Sequence, residues 1–157
     1  MDDETREELI ARYRSGHAAV LEALQGISEE ELDIQPSPDA WSARRVVHHL
    51  ADSEMTSAIR LRRLIAEDDP RIQGYDEMEF AERLFYDRRP IEPSLDALRA
   101  ARLTTSDILE QLDEAGWART GTHEESGPYA VETWLEIYAA HAHDHADQIR
   151  RARQGLA

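Results

Sequence analysis

Four stretches of the chain repeat apolar residues at intervals of three to four, and none sustains the two-residue alternation of a half-buried strand. That pattern restricts the chain to helices packed on helices, because each apolar stripe is buried only against another. In the first stretch Leu9, Ile10, Tyr13, His17, Val20, Leu21 and Leu24 share one side, and Gly26 ends it. A short acidic piece, Ser28 to Leu32, reads as one extra turn before a loop. The second helix opens at Trp41-Ser42, with Ser42 as N-cap and Trp41 packing on Val46 as a hydrophobic staple. Val46, Val47, Leu50, Ala51, Ala58, Leu61, Leu64 and Ile65 make its buried side, and it stops between Glu67 and Pro70. Pro93-Ser94 starts the third helix, whose stripe is Leu98, Ala101, Thr105, Ile108, Leu109 and Leu112, with Gly116 as its end. The fourth runs from about Ala130 to Arg153.

The connection from Pro70 to Pro93 has 24 residues, with a short helix expected over Asp76 to Phe85. Links in bundles usually have ~2–8 residues, so this length permits a crossover that leaves helices two and three parallel. Residues Trp117 to Pro128 are rich in Gly and Thr and read as irregular or locally extended. At 157 residues, with no internal repeat and no linker, the chain reads as one domain over 1–157.

The absence of cysteine removes disulfides, thiolate ligands and cysteine nucleophiles, so any metal must be held by nitrogen and oxygen. Thirty-three Asp and Glu against 18 basic residues, all arginine, give a net charge of −15. That charge argues against nucleic acid and against an anionic membrane surface, both of which need a basic face. The opening MDDETREEL is charged at once and lacks the apolar core of a signal peptide, and no apolar run approaches ~18 residues. A cytoplasmic protein is the expectation.

Three of the seven histidines lie in YAAHAHDHADQIRRA. His141 and His145 fall on the face defined by Val131, Trp134, Leu135, Tyr138, Ala142 and Ile149, one turn apart, whereas His143 points to nearly the opposite side. An i,i+4 pair on one helix face can direct two imidazole nitrogens at one metal ion. Core histidines satisfied by hydrogen bonds are the bland alternative. A third donor from VVHHLADSE would complete a three-nitrogen site with open positions, but helical phase does not select between His48 and His49, which flank the stripe on opposite sides.

The segment WSARRVVHHLADS (Trp41 to Ser53), together with Tyr138, His141, His145 and Ile149 at their spacing, resembles the DinB-like superfamily, and within it the YfiT-like metal-dependent hydrolases, whose members include bacillithiol S-transferases. The resemblance covers nearly the whole chain. It implies an all-α, four-helix bundle of up-down-down-up topology with a long connection between helices 2 and 3. It further implies a divalent metal ion on His49, His141 and His145, with His49 chosen as the histidine directly before the leucine. Dimers are common in the family, so a homodimer is implied as well.

Glu54 stands where some relatives carry histidine, near the middle of the apolar stripe of helix two. A carboxylate there either serves the site, as a partner of a ligand histidine or as a catalytic general base, or pairs with an arginine of a neighbouring helix. His17 reads as a core histidine, His123 as a loop residue able to fold over a pocket mouth, and Trp134 and Tyr138 as core. A metal-dependent enzyme acting on a small-molecule substrate is expected. The leading form is a low-molecular-weight-thiol S-transferase acting on electrophiles. The alternatives are a hydrolase using activated water and a non-catalytic, stress-related metal-binding protein. Zinc or nickel suits three imidazoles best.

Overall fold

In the computed structural model, which describes residues 1–157, Asp2 accepts a hydrogen bond from the Thr5 amide at 2.9 Å and starts α1 (Asp3–Ala23). A Ser28/Glu31 capping box opens the single turn α2 (Glu29–Leu32). Ser42 caps α3 (Ala43–Ala66) through the Arg45 amide, as its position in the sequence predicts. After β1 (Arg71–Ile72), Asp76 caps the short helix α4 (Glu77–Arg83). Helix α5 (Glu92–Leu109) has Pro93 in its first turn, where no amide donor is needed, and no side-chain cap. Asp113 caps α6 (Glu114–Trp117), a hairpin β2 (Thr120–His123) and β3 (Gly127–Ala130) follows, and α7 (Val131–Ala152) completes the chain.

Side-chain contacts fix the helix directions. Along α1 and α7, Arg6 meets Glu132, Ser15 meets His143 and the Ala23 carbonyl meets Arg153, so these two run parallel. Along α3 and α5, His48 meets Ser94, Glu54 meets Arg102 and Arg62 meets Thr105, so these also run parallel. His49 lies beside His145, and the Ser57 carbonyl beside the Trp134 indole, so α3 opposes α7. The four long helices are therefore up, down, down, up, and residues 70–91 make the crossover that parallel α3 and α5 require.

The bundle is not purely helical. β1 pairs in parallel with β2, Arg71 opposite Thr122, and β2 pairs antiparallel with β3, Thr120 opposite Ala130. This small sheet joins the crossover to the segment before α7. Strands of two to four residues are too short to leave a periodic signature, which is why the sequence reads there only as irregular or extended. At Gly121 a Cβ would lie 2.6 Å from the Pro70 carbonyl oxygen, so the close approach of the two connections depends on glycine. The third helix also ends at Leu109 rather than Gly116, and the intervening residues form a turn and α6.

Two apolar clusters of 13 residues each fill the interior. One gathers Ile10, Leu61, Leu109 and Trp134, the other Val20, Val46, Leu98 and Ile149. Each fully buried Leu or Val contributes roughly 1.5–3 kcal/mol, so the clusters supply the driving force. Between them lies a polar layer, in which Ser53, Glu54, Ser57, Arg102, Thr105 and Ser106 are all buried. No helix is long and apolar enough to cross a membrane.

Candidate metal centre

The histidines of interest lie at this polar layer, where α3 faces α7. His49 is 2 % exposed, and His141 and His145 are half-buried. The His49 ring stands 5.4 Å from the His141 ring and 4.8 Å from the His145 ring, centroid to centroid. One nitrogen from each residue lies within 4.8 Å of the other two. Helical geometry makes His141 and His145 neighbours, and the antiparallel pairing of α3 with α7 brings in the third.

His48 goes elsewhere. Its ring bonds Ser94 Oγ at 2.8 Å and the Arg89 carbonyl at 3.2 Å, on the side of α3 that meets α5 and the crossover. His143 points out, bonding the Arg12 carbonyl at 3.0 Å. His17 is half-buried on the edge of α1 rather than in the core, because Gly16 occupies the inward position. His123 belongs to β2, nearly buried, with its ring 5.6 Å from that of Tyr129 and its Nδ1 accepting from the Glu125 amide. Trp134 is core, its indole donating to the Ser57 carbonyl at 2.8 Å, and Tyr138 packs between it and His141.

Three observations test whether a cation fits. His141 and His145 bring their Nε2 atoms to 3.2 Å. Tetrahedral coordination with bonds of about 2.0–2.1 Å holds two donors about 3.3 Å apart, so this spacing suits a shared ion. Gln148 Oε1 lies 2.6 Å from His145 Nδ1, which then carries the proton and leaves Nε2 with its lone pair. His141 Nδ1 is buried without a partner, so the contact of Nε2 with His145 is all that engages the nitrogens of this ring. The residues fit a divalent ion.

Electrostatics agree with neutral donors. Burial, with the neighbouring His145, pushes His49 down to about 3. Burial, with His145, His49 and Arg102, pushes His141 to about 2. Burial also lowers His145, while Gln148, Glu77 and Asp144 act in the opposite direction. A buried imidazole resists protonation because the charged form loses its hydration.

Glu54 is fully buried and bonded away from the histidines. It accepts from Arg102 Nε at 2.8 Å, and the Tyr13 hydroxyl donates to its other oxygen. Burial raises its pKa, against the opposing charge of Arg102. Of the alternatives the sequence leaves open, the arginine of a neighbouring helix is the partner the structure provides. Gln148 and Arg102 were not singled out by sequence reasoning. Gln148 had the signal of an i+3 neighbour on a histidine face, and Arg102 lies in phase with Leu98, Thr105 and Leu109 on the stripe of α5.

A family model described as DinB superfamily matches residues 12–149. A protein of Oceanobacillus iheyensis named a "putative metal-dependent hydrolase" is 38 % identical over 123 residues, covering 78 % of this chain and 71 % of the relative. A Geobacillus thermodenitrificans protein of the same name is 33 % identical over 150 residues, covering 94 % and 83 %. Among solved structures, YfiT from Bacillus subtilis superposes with a TM-score of 0.91 at 27 % identity, over 100 % of this chain and 91 % of that one. It is described as "a probable metal-dependent hydrolase with an unusual four-helix bundle topology".

Proposed function

The chain belongs to the DinB superfamily, and from that premise we propose that it is a metal-dependent enzyme whose three-histidine centre activates a small nucleophile. The observation that carries this reading is the convergence of three imidazole nitrogens from α3 and α7 at a half-buried position. A divalent ion on three neutral imidazoles keeps its full double-positive charge and makes a thiol or a water that reaches it more acidic. Zinc or nickel suits this donor set. His49, His141 and His145 would hold the ion, and Gln148 keeps the His145 ring turned toward their shared position through Nδ1.

Transfer of a low-molecular-weight thiol to an electrophile is the leading reaction, because the carboxylate nearest the centre of the layer is occupied. Glu54 is bound by both Arg102 and Tyr13, which leaves it a poor proton acceptor for water. A thiol ionises near pH ~8.5 and water near ~15.7, so the thiol needs far less help from a protein base. Hydrolysis is the second reading. It is favoured by the names of the relatives and by Glu77, at the start of α4, whose charge reaches His145.

Metal analysis tests the centre, and turnover separates the reactions. His145→Ala is expected to lose stoichiometric metal with helix content unchanged, while His143→Ala, whose ring lies outside, binds normally. A variant lacking His145 that keeps one equivalent refutes the assignment. The loaded wild type is expected to conjugate small thiols to a model electrophile faster than it cleaves esters or amides. The reverse preference favours hydrolysis, and a response of melting temperature without turnover favours a binding protein.

A further inference from the structure

The polar layer holds a second, fully buried assembly one turn from the histidines. Arg102 of α5 is 1 % exposed and reaches all three other long helices. Its Nε donates to Glu54 Oε2 on α3 at 2.8 Å, its Nη2 to the Tyr138 carbonyl on α7 at 2.8 Å, and its Nη1 to the Tyr13 carbonyl on α1. The Tyr13 hydroxyl returns to the other oxygen of Glu54. The chain makes room for the guanidinium with Gly16, where a Cβ would lie 2.1 Å from Arg102 Nη1.

A buried ion pair is weak as a source of stability. Desolvation offsets much of the attraction, and apolar residues of similar volume often do as well. Its position offers a different role. Glu54 lies five residues beyond His49 on α3, and the Tyr138 carbonyl belongs to the residue three before His141 on α7. Arg102 thus bridges the two helices that carry the donors, close to where they must meet. The His49 ring is held by ring contacts with Trp41, His141 and His145, so where its nitrogen lies follows from where α3 lies.

We propose that Arg102 is a positioning residue for the histidine centre, clamping α3 to α7 through Glu54 and the Tyr138 carbonyl so that the three imidazoles stand at metal-binding separation. The proposal rests on the reading of the three histidines as donors, but not on which reaction they serve.

The test pairs stability with metal affinity. Glu54→Leu/Arg102→Met replaces the pair by apolar side chains, and Arg102→Lys keeps a charge but not the three-way reach of the guanidinium. Melting is measured on chelator-treated protein. Cobalt(II) is then titrated in, following its d–d absorption, which reports both affinity and ligand geometry. The double variant is expected to melt near the wild-type apo protein yet bind cobalt roughly 10–100-fold more weakly, with a shifted spectrum. Arg102→Lys is expected to lose affinity in the same direction, and it decides the matter if the double variant does not fold. Arg99→Ala, an exposed arginine on the same helix, keeps wild-type binding. A folded Arg102 variant with wild-type affinity and spectrum overturns the positioning role. Failure of the wild type itself to bind cobalt overturns the histidine centre and this role with it.

Discussion

Gly16 occupies a position in α1 where a methyl group would land 2.7 Å from Ala142 Cβ as well as against the Arg102 guanidinium. Alanine within a helix is ordinarily favoured over glycine by about 0.5–1 kcal/mol. Here overpacking costs about 1–3 kcal/mol, and the guanidinium, held by three acceptors, cannot swing aside. Gly16→Ala is therefore expected to destabilise the protein by about 1–2 kcal/mol in urea unfolding, against the usual sign. The histidines make a second prediction at this scale. Burial pushes His49 down to about 3 and His141 to about 2, against 6.5 for the free side chain. The unfolded chain therefore binds more protons, and the stability these residues contribute is complete above pH 6.5 and lost progressively as pH falls toward 3. Melting temperatures of metal-free protein between pH 7 and 4 should fall accordingly, and His141→Ala should flatten the slope. The choice between His48 and His49 belongs here too. A helix in a ring of four touches two neighbours, so both flanks of the α3 stripe are buried, and nothing local says which flank meets α7. The family resemblance pointed to His49, and the structure brings that residue to His141 and His145.

At the scale of elements, the four long helices were legible because their stripes are long, and Ser42 and Pro93 mark the starts of α3 and α5. Phases were less secure. Leu21, expected on the buried side of α1, is 45 % exposed, since the inward line runs through Tyr13, Gly16 and Val20. The stripe of α5 centres on Leu98, Arg102, Thr105 and Leu109, and a count of apolar residues alone passes over an arginine that faces inward to meet Glu54. The sheet was illegible because its strands have two to four residues and one of its two pairings joins segments some fifty residues apart. The end of α4 carries its own test. Phe85 follows that helix with φ 59° and is 57 % exposed, while the Tyr86 amide bonds the Ala81 carbonyl, the closure that usually has glycine at this point. The left-handed conformation costs an L-residue about 1–2 kcal/mol, partly offset by the entropy glycine loses on folding. Phe85→Gly should raise stability by about 0.5–1 kcal/mol in calorimetry, and Phe85→Ala, which keeps the Cβ, should give no gain.

For the whole molecule, two apolar clusters hold the ends of the bundle and the polar layer between them carries the ionisable groups. An ion bound there acts on the folded state alone. At 100 times its dissociation constant it should add about 2.7 kcal/mol, which is roughly 5–11 °C in a domain of this length. Scanning calorimetry before and after chelation measures that difference. His49 stands 92 residues before His141, with the crossover, α5 and the hairpin between their helices. The chain must close that loop before the three nitrogens share a volume, and we expect the centre to form late in folding. Bound metal should then leave the rate of refolding almost unchanged and slow unfolding by nearly its whole energetic effect. The ion would govern how long a folded molecule survives rather than how quickly it is made.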